Sequence, residues 1–209
     1  MLLAVGAAAV GYVAGHLPSA DLVSKGVDPR RAGSGNPGAA NVANLLGSRA
    51  GAAVFGLDMG KAVAASQAGR MLAGPVGANI AASAAVLGHC FPANRNFRGG
   101  KGVAASFGQM IATFPAYLPI DIVLGAIAAK SDFWKARPVE TIAATCGLWT
   151  AMAYGCTRAG LSNLWAPKPD NSMPIAAAVS SAAIVYRFAV EARRPPPDPD
   201  GSAEPAEYS

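Results

Sequence analysis

Charged side chains are scarce in this sequence: 14% of its 209 residues are Asp, Glu, Lys or Arg, whereas 52% are hydrophobic. An ordinary soluble domain carries about 25% charged residues, so these charges are too few to cover the surface of one. Membrane insertion is therefore the first expectation. Runs with few or no charges, each close to the roughly 20 residues that cross a bilayer, recur along the chain. They cover residues 1–20, 71–94, 102–120, 141–157 and 171–186.

Cysteine and histidine are also rare, with three and two residues. The odd number of cysteines, all inside or beside apolar segments, argues against a disulfide framework and favours small packing residues. No Cys-x-x-Cys or histidine-rich pattern is present, so we expect neither a metal site nor a cofactor. Two histidines and the absence of Gly-x-Ser-x-Gly leave little support for a serine triad.

The apolar runs predict an all-α integral membrane bundle of about seven transmembrane helices with short cytoplasmic loops. The predicted helices cover residues 1–19, 51–67, 74–89, 103–114, 118–129, 141–157 and 173–190. The first is expected to be a retained helix, because no basic residue precedes its apolar stretch as in a signal peptide. The membrane domain is predicted at 1–194, and the proline-rich, acidic segment 195–209 is predicted to be a disordered tail.

Seven spans distribute the basic residues unequally, with 13 lysines and arginines on the side of the glycine-rich loops and three on the other. The positive-inside rule then places these loops and the C-terminus in the cytoplasm and the N-terminus outside. The same rule accounts for the net charge of +5 without a nucleic-acid partner.

One glycine-rich stretch occupies residues 97–104, just after His89, and has the sequence Phe-Arg-Gly-Gly-Lys-Gly-Val-Ala. Gly99, Gly100 and Gly102 would let backbone N–H groups approach an anion, and a helix starting near residue 103 would add its dipole. Arg98 and Lys101 supply positive charge. The Walker spacing Gly-x-x-x-x-Gly-Lys-Ser/Thr is absent, so nucleotide hydrolysis has no support.

An earlier glycine-rich stretch at residues 33–42, the first loop, contains Ser34, Asn36 and Asn41 and predicts a tight turn that exposes the backbone; the stretch at 97–104 is the second loop. Together the two loops suit a substrate that carries phosphate, because cations and preorganised donors stabilise its charge. The alternative for either loop is that its glycines serve only turns and helix packing.

His89 ends an apolar helix immediately before the second loop, where it could orient a hydroxyl or take its proton. His16 lacks such neighbours and is predicted to be a packing or interfacial group. Asp58 and Lys61 are three residues apart on one helix face. Either they supply charge to the pocket beneath the loops, or they are a mutually compensating pair that lets the helix insert.

These motifs resemble the acyl-phosphate-dependent glycerol-3-phosphate acyltransferases of bacteria, the PlsY family. The resemblance covers roughly the first 115 residues. It is carried by the stretches 33–42, 57–61, 88–92 and 97–104. It implies a multi-pass protein of the bacterial cell membrane with seven helices, an outside N-terminus and cytoplasmic loops.

The resemblance implies transfer of a fatty acyl group from acyl phosphate to the sn-1 hydroxyl of glycerol 3-phosphate, giving lysophosphatidic acid in the first step of phospholipid synthesis. By position, Ser34, Asn36, Asn41 and Lys101 would contact phosphate or glycerol groups, and His89 would position or activate the hydroxyl. The acyl chain would lie along the helices, in contact with membrane lipids.

The chain also departs from the family pattern. Asn44 stands where a phosphate-binding arginine is usual, and residues 188–194 replace a motif that contains His, Asn and Arg. Glu191, near the usual asparagine, would repel phosphate unless neutralised. A rival hypothesis is therefore a weakened or inactive paralogue that binds a phosphate-bearing lipid or a partner. A transporter based on Asp58 and Lys61 has less support, because the chain shows no internal repeat.

Overall fold

The computed structural model describes residues 1–193, and all regular secondary structure in that range is helical. Arg194 and the predicted tail at 195–209 lie outside the described residues. The α-helices are α1 Leu2–Gly15, α2 Ser19–Val23, α3 Ala39–Leu46, α4 Ser48–Cys90, α5 Val103–Thr113, α6 Leu118–Lys130, α7 Asp132–Lys135, α8 Pro138–Ala159 and α9 Ser172–Ala192. Short 3-10 turns lie at Ala93–Arg95 and Pro115–Tyr117. The predicted all-α class is confirmed.

Helix α4 is a hairpin of two arms, which we call the first arm (48–72) and the second arm (75–90). Ala73 and Gly74 have non-helical backbone angles, and Gly74 has a φ of 61° that favours glycine. Ser66 donates a hydrogen bond to the Ala78 carbonyl at 3.3 Å, so the arms run antiparallel from the turn. They correspond to the separate helices predicted at 51–67 and 74–89.

Helix α1 packs against the second arm through small residues. A Cβ on Gly11 would overlap the backbone of Ala81, and a Cβ on Gly15 would overlap Gly88. Backbones that approach so closely gain van der Waals contact, which drives helix association in lipid. The alanines and glycines of α1 permit this close packing.

Helices α5 and α9 complete the packing around the hairpin. Gly108 of α5 lies against the Met59 carbonyl of the first arm. At mid-depth, Ser180 of α9 donates to Gln109 of α5 at 2.7 Å and contacts the Ser83 hydroxyl at 3.0 Å. These buried side chains satisfy one another where water is scarce. The packing leaves one end of the hairpin to the loops that precede α3 and α5.

The described residues do not confirm the predicted number of membrane spans. Three of their stretches are long and apolar enough to cross a bilayer, Leu2–Val23, Ser48–Arg95 and Ser172–Ala192, and the second of these contains both arms of the hairpin. A fourth is added if α5 with the segment Pro115–Lys130 forms one broken span, which is bent by 116° and whose helices of 11 and 13 residues are each shorter than the roughly 20 residues that cross a bilayer. The predicted count of seven is not confirmed.

Three short helices, α2, α3 and α7, lie in segments that were predicted to be loops. The glycines and polar residues around them indicate turns, and helices of four to eight residues are too short to produce a periodic pattern. Packing explains one of them: Val42 of α3 is buried against Ala20 and Val54. This contact ties the loop before α3 to the first arm.

Candidate active site

Three ionisable side chains from the two arms of α4 meet in the interior. Lys61 Nζ lies 2.8 Å from Asp58 Oδ1 and 2.9 Å from His89 Nδ1, and His89 Nδ1 lies 3.3 Å from the same Asp58 oxygen. The exposed fractions of the three side chains are 3% or less for Lys61 and Asp58 and 9% for His89. Lys61 Nζ also donates to the Leu17 carbonyl at 3.2 Å. The spacing of Asp58 and Lys61 therefore does place them on one face, and the hairpin adds His89.

This cluster forms the floor of a small cleft of about 30 Å³ at one end of the hairpin. The walls come from four segments: the stretch after α1, the two glycine-rich loops and the turn before the second of them. They are lined by Gly15, His16, Leu17, Pro18, Ser19, Ala20, Arg30, Pro37, Pro92, Arg95, Gly99 and Gly100. The lining includes Pro37 of the first glycine-rich stretch and Gly99 and Gly100 of the second, so both stretches reach this cleft beside His89.

Gly99 and Gly100 lie directly against the end of the second arm. A Cβ on Gly99 would overlap the His89 carbonyl, and one on Gly100 would overlap His89 Nε2. Their N–H groups donate to the carbonyls of Cys90 and His89 at 3.2 and 3.1 Å. These two donors are therefore engaged within the protein in this conformation. This differs from the predicted cradle, in which they face an anion.

Arg187 of α9 holds the other side of the same loop. It is buried, and its guanidinium donates to the carbonyls of Gly100 and Gly99 at 3.2 and 2.5 Å. Gly102 follows with a φ of 87° and caps α5, which begins at Val103 as predicted. The glycine-rich loop is thus fixed between the second arm and α9.

The two cations of this loop, Arg98 and Lys101, do not line the cleft. Lys101 Nζ pairs with Glu191 at 2.7 Å and lies 4.6 Å from the centre of the Phe188 ring, and it does not line the cleft. Arg98 is exposed and is likewise not part of the cleft wall. The structure does not bring Lys101 and His89 together, although the sequence predicted that both act on substrate.

In the first glycine-rich loop, Asn41 acts as an internal brace. Its amide nitrogen donates to the carbonyls of Pro29 and Ala32 at 2.8 and 3.0 Å, and its oxygen accepts from the Ser34 N–H at 2.9 Å. Asn41 is 3% exposed, so the amide predicted to contact substrate instead holds the turn that presents Ser34.

Ser34 and Asn36 do not line the cleft. Ser34 is exposed, whereas Asn36 is buried and its side-chain oxygen accepts no hydrogen bond from the described residues. His16 contacts the Tyr12 ring edge-on at 4.5 Å between centroids and accepts from the Ala93 N–H at 3.4 Å. Its predicted packing role is confirmed, and it also forms part of the cleft wall.

Two arginines of the cleft wall, Arg30 and Arg95, carry no functional signal in the sequence. Arg30 lies in a cluster of basic loop residues that the positive-inside rule explains, and Arg95 lies in an irregular segment without a motif. Both pair with the carboxylate of Asp21, Arg30 at 2.8 Å and Arg95 at 2.5 Å. Arg187 also carries no functional signal in the sequence, because it lies near the end of an apolar helix and far from the glycines along the chain.

Comparison with protein families gives a match over nearly the whole chain. The family model described as glycerol-3-phosphate acyltransferase matches residues 5–195. A glycerol-3-phosphate acyltransferase of Thermoanaerobacter sp. is 41% identical over 127 residues, which are 59% of this chain and 64% of that protein. The enzyme of that name from Symbiobacterium thermophilum is 39% identical over 132 residues, 62% of this chain and 66% of the relative. The alignments thus span slightly less than two thirds of these relatives.

Two solved structures have the same fold. Crystal structures of PlsY, an integral membrane glycerol 3-phosphate acyltransferase, superpose with TM-scores of 0.73 for the glycerol 3-phosphate form and 0.70 for the lysophosphatidic acid form. Their sequence identities to this chain are 26% and 27%, and each match covers 91% of this chain and 90% of the other. The resemblance to PlsY therefore extends beyond the first 115 residues to α8 and α9.

Proposed function

The chain belongs to the glycerol-3-phosphate acyltransferase family and is membrane-bound, and we propose that it transfers a fatty acyl group from acyl phosphate to glycerol 3-phosphate. The sn-1 hydroxyl oxygen attacks the acyl carbonyl carbon, and the bond from that carbon to the phosphate oxygen breaks. Phosphate leaves with the electron pair, and the products are lysophosphatidic acid and inorganic phosphate. Because acyl phosphate already carries a good leaving group, alignment and charge stabilisation suffice without a covalent enzyme intermediate.

The observation that supports this proposal best is the orientation of His89. Its Nδ1 faces the Asp58 carboxylate at 3.3 Å, while Nε2 lies on the side of Gly100 and the cleft. Lys61 Nζ lies 2.9 Å from the same Nδ1, so the proposed role requires this ammonium to turn away from the imidazole. Nδ1 can then donate its proton to Asp58, and Nε2 has a lone pair that can accept the proton of the attacking hydroxyl. Lys61, 2.8 Å from Asp58, stabilises the negative charge of that carboxylate in the protein interior.

In this scheme Ser34 and Asn36 of the first loop, whose turn Asn41 braces through the Ser34 N–H, would move to contact the substrate, since neither lines the cleft in this conformation. Arg98 and Lys101 would approach the donor phosphate as the acyl chain is held along the helices. Both require a side-chain movement, since neither lines the cleft in this conformation. Gly99 and Gly100 serve the site by letting the loop approach His89 closely, and Gly102 lets it pack against Cys90.

A purified preparation in detergent or lipid mesophase tests the proposal through phosphate release from palmitoyl phosphate, with and without glycerol 3-phosphate. Release should depend on the acceptor and should fall by about 10²-fold or more in His89→Ala, the size expected for loss of a general base. His16→Ala is the control, because His16 lies on the cleft wall but has no contact with Asp58. Equal release by wild type and His89→Ala would contradict the role of His89.

A second candidate, a paralogue that binds a phosphate-bearing lipid without turnover, is favoured by one observation. Lys101 is engaged by Glu191 rather than directed to the cleft. Binding of glycerol 3-phosphate by calorimetry with no acyl transfer would support this candidate and contradict the enzymatic one.

We also propose that the cleft opens to the cytoplasm and that the N-terminus lies outside, as the distribution of basic residues indicates. Arg31 lies beside the cleft, and its side chain is 85% exposed. Met71 lies at the turn of the hairpin and is 88% exposed. In intact cells, a membrane-impermeant maleimide should label Met71→Cys and spare Arg31→Cys. The opposite labelling would reverse the orientation.

A further inference from the structure

The carboxylate of Asp21 lies between two guanidinium groups at the mouth of the cleft. Arg30 Nη1 contacts Oδ1 at 2.8 Å, and Arg95 Nη2 contacts Oδ2 at 2.5 Å. The two arginines come from different segments, one from the loop before α3 and one from the turn after α4. They converge on two oxygens of one anion, which is the arrangement by which arginines also bind phosphate.

Both arginines line the same cleft as His89, Asp58 and Lys61. Their side chains are 29% and 24% exposed, and that of Asp21 is 37% exposed. The group is therefore accessible from water at the loop end of the bundle. A water-soluble phosphate monoester can reach it directly, whereas a lipid-linked phosphate would arrive along the apolar helices.

The other candidate phosphate-binding groups of the glycine-rich loop are engaged elsewhere. The N–H groups of Gly99 and Gly100 donate to carbonyls of the second arm. Lys101 is paired with Glu191. Of the cationic side chains that line the cleft, Arg30 and Arg95 are the two that lie at its mouth rather than on its floor.

Resting on the function proposed above, we propose that Arg30 and Arg95 bind the phosphate of the acceptor, glycerol 3-phosphate, and that Asp21 is an internal competitor which this phosphate displaces. A phosphate dianion has more charge and more acceptor oxygens than a carboxylate, so the exchange favours it once it is in the cleft. Displaced, Asp21 turns towards water, because it is the most exposed of the three. The site thus remains closed by its own ion pairs until the acceptor arrives.

Variants of Arg95 and Asp21 test the proposal, because it predicts opposite changes in the affinity for glycerol 3-phosphate. Glycerol 3-phosphate affinity is measured by calorimetry on the purified full chain, alongside inorganic phosphate. Arg95→Gln should weaken glycerol 3-phosphate about 10- to 100-fold, the factor expected for one lost charge-assisted hydrogen bond. Asp21→Asn should tighten it. If Asp21 and Arg95 were only a structural bridge between loops, both variants would weaken binding.

Matched controls separate local contacts from general charge effects. Arg31→Gln removes an equal charge from a side chain that is 85% exposed and does not line the cleft, and it should change the affinity less than threefold. Asp28 pairs with Arg30 Nη1 at 3.4 Å, whereas Arg95 pairs with Asp21. Asp28→Asn therefore removes an equal negative charge from beside one of the two arginines, and it should tighten binding less than Asp21→Asn. Equal effects of Arg95→Gln and Arg31→Gln, or weaker binding in Asp21→Asn, would overturn the proposal.

The sources of phosphate are distinguished in the same experiment. Tighter binding in Asp21→Asn for glycerol 3-phosphate, with an unchanged KM for palmitoyl phosphate, assigns the site to the acceptor. A change confined to palmitoyl phosphate would contradict that assignment. Binding is measured without turnover. If the wild type shows no acyl transfer but Arg95→Gln still weakens the binding of glycerol 3-phosphate, only the proposed function is contradicted. Absence of any binding by the wild type would overturn the site itself.

Discussion

Gly100 touches the imidazole of His89 so closely that a Cβ at position 100 would overlap Nε2. The glycine therefore sets the distance between the second loop and the histidine. Gly100→Ala should lower acyl transfer by about 10²-fold, because a displacement of about 1 Å at a reacting group has an effect of that size. It should also destabilise the protein by about 1–3 kcal/mol, as overpacking does.

The control for this change is Gly125→Ala on α6, where an added Cβ meets nothing within 4 Å. It should leave transfer unchanged and increase stability slightly, since alanine is the better helix former. Steady-state kinetics and thermal unfolding in detergent measure both. Unchanged transfer in Gly100→Ala would show that the spacing to His89 does not matter for the reaction.

Arg187 fixes the same loop from the side of α9, and its removal leaves two carbonyls without their donor. Arg187→Met should cost about 2–5 kcal/mol in the free energy of unfolding, from two buried acceptors left unsatisfied. Arg187→Lys should recover part of it, because an ammonium can reach one carbonyl but lacks the fork that reaches two. Arg158→Met, an exposed position at the far end of α8, is the control. Equal unfolding temperatures for the two methionine variants would contradict this assignment.

Variants of Asp58 and Lys61 distinguish two interpretations of this pair: a supply of charge to the pocket, or mutual compensation that lets the helix insert. Asp58→Asn or Lys61→Met alone leaves one uncompensated charge in the interior and should destabilise the protein by about 3–5 kcal/mol. The double variant Asp58→Asn with Lys61→Met should be more stable than either. If Asp58 also orients His89, the double variant stays inactive despite its recovered stability.

Thermal unfolding and transfer rates of the same three variants provide the measurement. Recovery of both stability and activity in the double variant would show a pair that only compensates charge within the helix. His89→Ala is the reference for complete loss of the histidine, and the double variant should approach its rate.

The fold was predictable where hydrophobic runs are long and charges mark their ends. The helices at 103–114, 118–129 and 173–190 were predicted within a few residues of α5, α6 and α9. The predicted seven spans are not confirmed, because the length of an apolar run does not specify the 116° bend between α5 and the segment that contains α6. Short α3 depends on burial of Val42, a tertiary contact that no local pattern signals.

The parts of the site that belong to sequence motifs were predictable. His89, the two loops and the Asp58–Lys61 pair follow from sequence spacing, and the structure joins them at one cleft. The engagement of Gly99 and Gly100 by the second arm depends on how two segments pack, so the predicted backbone cradle differs from the observed loop. The roles of Arg30, Arg95 and Arg187 depend on partners 9, 74 and at least 87 residues away in sequence.

Glu191 is the residue that directs Lys101 away from the cleft, since the two charged groups lie 2.7 Å apart and the ammonium also covers Phe188. Glu191→Gln should lower the KM for palmitoyl phosphate several-fold, because it frees the ammonium and removes a negative charge that repels the donor phosphate. Lys101→Met should raise that KM. Glu140→Gln, an exposed position on α8, is the control for charge alone. A higher KM in Glu191→Gln would instead show that the carboxylate positions Lys101 for the reaction, and an unchanged KM would show that Lys101 does not meet the donor phosphate.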